Sequence, residues 1–86
     1  MRDIRFTPKA FEQYIDWEKT DKVIYAKINK LLLETARTPF EGSGKPEPLK
    51  YSLKGCWSRR ITEEHRLGYI VEKECIQVIF CKLHYG

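Results

Sequence analysis

A single change of hydrophobic period restricts this chain more than any other feature. Ahead of Thr38-Pro39, apolar residues recur at helical spacing; from Leu49 onward they alternate with polar ones, as in a half-buried strand. Between the two regimes lies Phe40 to Pro48, FEGSGKPEP, whose Gly and Pro density continues neither pattern and predicts a loop. Helices followed by strands point to an α+β domain, in which a sheet and the helices laid on one of its faces bury each other's apolar sides. With 86 residues there is material for one core and not for a second, so residues 1–86 read as a single domain.

Arg2 to Phe6 alternates, with Ile4 and Phe6 opposed to Asp3 and Arg5, and predicts a short strand. Thr7-Pro8 then supplies a helix cap and a proline whose missing N–H costs nothing at the first helical position. The helix runs to about Lys19 and is expected to turn Phe11, Tyr14 and Ile15 to the core, with Glu18 closing that stripe. Trp17 lies off the stripe; packing against a neighbouring loop is expected of it, the alternative being an exposed aromatic at a partner or homodimer surface. Thr20-Asp21 caps a second helix, on which Ile24, Ile28, Leu31, Leu32 and Thr35 form one face until Thr38-Pro39 ends it. The two helices form a hairpin. Lys22, Lys27 and Lys30 lie mostly off the apolar face, as solvated lysines do, and tracking of phosphates on a large RNA is the sharper alternative.

Four strands joined by hairpins follow: Leu49 to Lys54, Trp57 to Thr62, Arg66 to Glu72 and Cys75 to Tyr85. The last is apolar on both faces over Ile76 to Cys81, which predicts a central position. The expected architecture is therefore two N-terminal helices packed on one face of a mainly antiparallel sheet of four to five strands.

Composition narrows the function classes. No apolar run approaches the ~20 residues of a membrane helix, and MRDIRFTPKAF at the amino end lacks the apolar stretch of a signal peptide, so a cytoplasmic protein without a membrane partner is expected. Cys56, Cys75 and Cys81 are odd in number and contain no C-x-x-C pair, which argues for reduced thiols packed in strands and against a disulfide framework or a zinc site. Cys75, Cys81 and His84 have a spacing that can be bent round a metal, but packing is the simpler reading, and neither metal nor cofactor is assigned. The net charge of +4 suits a polyanionic partner.

That charge is unevenly placed. Six of the 16 Lys and Arg lie between Lys45 and Arg66, KPEPLKYSLKGCWSRRITEEHR, against Glu47, Glu63 and Glu64. Lys50, Arg60 and Arg66 are each out of phase with the apolar residues of their own strands, which predicts that they share the sheet face turned away from the helices. Glu47, between Pro46 and Pro48, is expected at the rim of that face. His84 shares parity with Lys82, though a two-sided last strand leaves its face open. Taken alone, Glu47 is no more than an exposed loop carboxylate and His84 a terminal imidazole.

Three segments change that reading. TPFEGSGKPEPLK (38–50), WSRRITEEHRLGY (57–69) and the closing His84-Tyr85, together with the Trp17-x-x-Thr20-Asp21-Lys22 helix junction, closely resemble the YoeB-type toxins of the RelE/ParE superfamily, small bacterial members of toxin–antitoxin pairs. The resemblance covers essentially the whole chain. It implies a ribosome-dependent endoribonuclease that enters the decoding site and cleaves mRNA without metal. Carried over by motif, it makes Glu47 the general base, Arg66 the transition-state stabiliser and His84 the general acid. Lys50 and Arg60 become further phosphate contacts, and Tyr85 the terminal aromatic that positions RNA or His84. It also implies a cognate, YefM-like antitoxin that folds over the toxin, and in the family toxin homodimers occur.

The residue types suit that chemistry. Cleaving RNA with its own 2′-hydroxyl requires a base for that hydroxyl, cations for the phosphate and an acid for the departing 5′-oxygen. The prolines flanking Glu47 stiffen its backbone, and the planar fork of Arg66 matches two phosphate oxygens as a lysine does not. His65 is expected to be structural or adjacent to substrate. Glu63 and Glu64 are expected to solvate their turn, with Arg59 or an antitoxin as alternative partners. Gly68, where the family pattern usually has an aliphatic residue, suggests a bulge or a close backbone approach, and Gly86 extends one residue past the usual end. Two other classes compete: a superfamily toxin that poisons DNA gyrase, and a basic adaptor that binds RNA or an acidic protein without catalysis.

Overall fold

The computed structural model describes residues 1–50 and 55–83. Strand β1 (Asp3–Phe6) leads into helix α1 (Pro8–Thr20), then α2 (Lys22–Arg37), and four strands follow: β2 (Glu47–Pro48), β3 (Trp57–Arg60), β4 (Arg66–Val71) and β5 (Cys75–Phe80). The strands form one sheet in the order β1-β5-β4-β3-β2. Only β1 against β5 is parallel, so the first strand closes the sheet beside the last and leaves β2 at the far edge. This is the expected α+β arrangement, with five strands.

Local chemistry sets the helix boundaries. Thr7 caps α1, its Oγ1 accepting from Ala10 N–H at 3.2 Å, and Pro8 occupies the first turn. Asp21 serves both helices: its own N–H donates to the Trp17 carbonyl at 2.9 Å, and its Oδ1 accepts from Val23 and Ile24 N–H at 3.1 Å each. One residue thus ends α1 and starts α2, making the hairpin tight. Tyr14 Oη donates to Asn29 Oδ1 across it, and the Tyr14 and Tyr25 rings lie 5.0 Å apart.

The core gathers Ala10 and Trp17 from α1, Ile28, Leu31 and Leu32 from α2, and Ile61, Leu67, Tyr69, Ile76, Val78 and Cys81 from the sheet side. The α2 face matches the expected stripe, and Thr35 on it is buried. The α1 face does not. Ala10 and Trp17 are buried while Phe11 is 48% exposed, so the buried face is rotated relative to the expected Phe11–Tyr14–Ile15–Glu18 stripe, of which Tyr14 still packs against the core. The small Ala10 allows close approach, and Trp17, with more apolar area than any neighbour, goes inside. Its Nε1 donates to the Cys81 carbonyl at 2.8 Å, so it packs against the segment after β5, as the loop-packing reading expects.

Two strand boundaries also move. Pairing at the β2 edge begins at Glu47 opposite Ser58 and Pro48 opposite Trp57, with Leu49 N–H donating to the Cys56 carbonyl at 2.8 Å. Pairing therefore begins two residues before the expected start at Leu49, and Leu49 and Lys50 lie past the end of β2; positions 51–54 of that expectation lie outside the described residues. Pro48 misled the reading because proline breaks inner strands, whereas an edge strand tolerates its missing donor. Strand β5 stops at Phe80 rather than reaching Tyr85. A bulge interrupts its pairing with β4: Tyr69 faces Val78 but Gly68 faces Phe80, so Ile79 is an extra residue. The bulge reverses the alternation, which is why the strand is apolar on both faces in sequence and why parity does not carry through to its end at Phe80.

Candidate functional site

Beside the β2 edge, Gly44, Lys45, Glu47, Ser58, Arg60 and Arg66 line a small cleft of about 60 Å³. Its geometry follows from strand register. Glu47 faces Ser58, and Arg60, two residues along β3 on the same side, faces Arg66 on β4. Directly opposed side chains start about 5 Å apart, so one carboxylate and two guanidinium groups converge on the face away from the helices.

The loop before β2 is held against the sheet by its backbone. Arg60 N–H donates to the Gly44 carbonyl at 2.6 Å. Gly44 has φ of +80°, and a Cβ there would meet the Arg60 carbonyl oxygen at 2.9 Å, so only glycine permits this approach. Lys45 follows, itself at φ +50°, and enters the cleft lining.

Arg66 is fixed from both sides. Its Nη1 donates to the carbonyls of Thr62 (2.7 Å), Glu63 (3.1 Å) and His65 (3.1 Å), which ties the β3–β4 turn together. Its backbone N–H donates to the Leu83 carbonyl at 2.9 Å. Among the described residues Nε and Nη2 have no protein partner and remain available to an anion. Arg60 makes a 3.5 Å ion pair with the exposed Glu63, an interaction of small energetic weight.

The sequence reading placed Arg60 and Arg66 on a shared open face with Glu47 at its rim, and the structure does so, with Glu47 on the edge strand β2 rather than ahead of the first strand of that face. Lys50 is exposed, lies past the end of β2 and does not line the cleft. Counting from the Glu47–Ser58 pair, position 50 has the parity of Pro48, not of Arg60. His84 and Tyr85 lie outside the described residues. Leu83, from which they depart, donates its N–H to His65 Nδ1 at 2.8 Å while its carbonyl receives Arg66.

Ser58, buried on the cleft wall, and Lys45 are lining residues that the sequence reading did not single out. Arg59 is the opposite case, a member of the basic strip that leaves the site. Fully buried, it pairs with Glu34 Oε2 at 2.9 Å and donates to the carbonyls of Ser43 (3.2 Å), Glu41 (2.9 Å) and Thr38, and to Tyr69 Oη at 3.3 Å. The Ser43 N–H, first, and then Arg59 hold the Glu34 carboxyl below its ordinary range against a desolvation cost. The signal was present in the sequence, since Arg59 shares parity with Trp57 and Ile61. Glu63 and Glu64 accordingly pair with Arg60 and His65, not with Arg59.

Among the described residues no three His, Cys, Asp or Glu side chains are grouped to hold a metal. All three cysteines are buried and unpaired, and burial pushes their thiols up, Cys81 to about 12. They stay protonated at neutral pH and fill space. No helix among the described residues is long and apolar enough to cross a membrane.

Comparison with known proteins decides the family. The description "YoeB-like toxin of bacterial type II toxin-antitoxin system" matches residues 6–85. The chain belongs to this family. It is 52% identical to Toxin YoeB of Escherichia coli (strain K12) over 80 residues, which is 93% of this chain and 95% of that one. A YoeB dimer from Staphylococcus aureus superposes with a TM-score of 0.90 at 47% identity, covering 98% of both chains. The YoeB chain in a heterotetrameric YoeB-YefM toxin-antitoxin complex from the same organism gives 0.89 at 46% identity, covering 99% of both. The YoeB-like fold thus accounts for every element described above, and the chain is the toxin component of a type II toxin–antitoxin system.

Proposed function

We propose that this toxin is a ribosome-dependent endoribonuclease that cleaves mRNA in the ribosomal A site and so stops translation in the cytoplasm, all of residues 1–86 forming one catalytic domain. The observation that carries this reading is the cross-strand convergence of Glu47 with Arg60 and Arg66 in one cleft. Glu47 takes the proton from a 2′-hydroxyl, and the resulting oxygen attacks the adjacent phosphorus. Arg66, through its Nε and Nη2, stabilises the charge that builds on the phosphoryl oxygens, with Arg60 and Lys45 as further cations. His84 gives a proton to the departing 5′-oxygen, and Tyr85 positions RNA or His84. The products are a 2′,3′-cyclic phosphate and a 5′-hydroxyl. The nucleophile belongs to the substrate, so these residues supply the base, the cations and the acid the reaction needs. Lys50, exposed near the β2 end of the cleft, contacts phosphate farther along the strand.

The likeness to the Staphylococcus aureus proteins supports a YefM-like antitoxin as the inhibitory partner and a homodimer as the free form. Primer extension on message from cells expressing the parent, Glu47→Gln, Arg66→Ala or His84→Ala tests the assignment: cuts are expected with the parent only, and cutting by all three variants at the parent's level contradicts it. Incubating the protein with programmed ribosomes and with naked mRNA in parallel tests the ribosome's part, with rapid cutting expected only on ribosomes.

A further inference from the structure

We infer that His65 is a positioning residue for the acid end of the site, holding the segment from which His84 departs; this rests on the ribonuclease reading above. His65 sits in the turn between β3 and β4 and is only 8% exposed. Its Nδ1 accepts the Leu83 N–H at 2.8 Å. An accepting Nδ1 leaves the ring proton of the neutral imidazole on Nε2, which faces Glu64 Oε1 at 3.6 Å. The Trp17 ring meets the imidazole edge-to-face at 4.8 Å, fixing its plane. The turn itself is braced, because the His65 carbonyl accepts from Ile61 and Thr62 N–H at 2.9 and 3.2 Å and its N–H reaches Thr62 Oγ1 at 3.1 Å.

What His65 holds is a residue in an unfavourable conformation. Leu83 has φ of +59°, a region that side chains other than glycine adopt only where their surroundings impose it. Its N–H is taken by His65 and its carbonyl by the N–H of Arg66, so two consecutive residues grip both backbone polar groups of Leu83 and fix the peptide units on either side of its Cα. Two residues earlier, Cys81 is gripped the same way: Gln13 Oε1 accepts its N–H at 2.8 Å and Trp17 donates to its carbonyl at 2.8 Å. The strand ladder ends at Phe80, so these four bonds take over the alignment of the chain where β5 stops. Since Arg66 is also the proposed transition-state cation, the grip ties it to the residue that immediately precedes His84 in the chain.

The test combines rate and amide exchange. His65→Leu fills the space but leaves the Leu83 N–H without its acceptor; His65→Asn keeps an acceptor near the Nδ1 position. Single-turnover cleavage on programmed ribosomes is expected to slow about 10- to 100-fold in His65→Leu with KM unmoved, the cost of a displacement of about 1 Å, and to recover in His65→Asn. In a His84→Ala background neither substitution is expected to change the residual rate, because His65 acts through His84. Exchange of the Leu83 amide is expected to accelerate in His65→Leu only. Where His65→Leu fails to fold, His65→Gln, whose carbonyl reaches one bond too far, replaces it with the same expectations. Equal losses in both backgrounds, or unchanged Leu83 exchange, overturn the inference. The exchange measurement reads the grip even if the catalytic assignment fails, so the two failures are distinguishable.

Discussion

Glu47 and Arg59 are both charged and both fall between Lys45 and Arg66, yet they sit in opposite surroundings. Glu47 is exposed on a two-residue edge strand and faces the cleft. Its replacement by Gln keeps the shape and removes the proposed base, and message cutting measured by primer extension is expected to fall about 10²- to 10⁴-fold with the melting temperature unchanged. Arg59 is a strut. Removing it leaves the Glu34 carboxylate and several loop carbonyls unpaired, so Arg59→Ala is expected to cost roughly 3–5 kcal/mol in denaturant unfolding. Glu34 gives this strut a pH signature. Its carboxyl is held low in the fold, so the unfolded chain binds the proton more readily; the stabilisation is complete above the unfolded value of about 4.3 and is lost as pH falls through the depressed folded value. Unfolding free energy followed from neutral pH downward is expected to decline over that acid window, and Glu34→Gln to flatten the decline.

Elements show why part of the site was legible in sequence and part was not. Period-2 alternation placed Arg60 and Arg66 correctly because β3 and β4 are regular through both residues. It misplaced Lys50 because Glu47, not position 50, pairs on the Ser58 side and β2 ends at Pro48, and it left the face of the last strand open because one extra residue, Ile79, reverses the phase of β5. Neither a register start nor a bulge leaves a periodic trace, but Gly68 was a trace of another kind. A Cβ on Gly68 would fall within the Phe80 ring, so the bulge needs a bare backbone there to let Phe80 cross β4. Gly68→Val is expected to destabilise the fold by about 1–3 kcal/mol in thermal or denaturant unfolding, and to lower cutting further than Gly68→Ala does. In the helices, Trp17 outweighed a stripe of smaller apolar residues, a competition that spacing alone does not settle.

The whole molecule keeps structural and chemical charges apart. Helices α1 and α2 cover one sheet face, the ion pair of Arg59 with Glu34 is sunk between them and the loop after α2, and Arg60 and Arg66 stand on the other face. Gly44, at the cleft, also borders a cavity of about 280 Å³ lined by Lys27, Lys30, Leu31, Glu34 and Ser43. On the proposed function, RNA that leaves the cleft over Gly44 would meet two further cations, and a Lys27→Ala/Lys30→Ala variant is expected to lower the salt slope of single-stranded RNA binding by about 1.4, read by anisotropy with an uncleavable oligonucleotide. On the proposed mechanism the substrate's own 2′-hydroxyl, deprotonated by Glu47, performs the cut. The most direct measurement is cleavage on programmed ribosomes of a message carrying a single 2′-deoxynucleotide at the scissile position. Loss of cutting at that position, with a 2′,3′-cyclic phosphate end on the all-ribose control, is the predicted result; cutting of the deoxy message at the control's rate contradicts it.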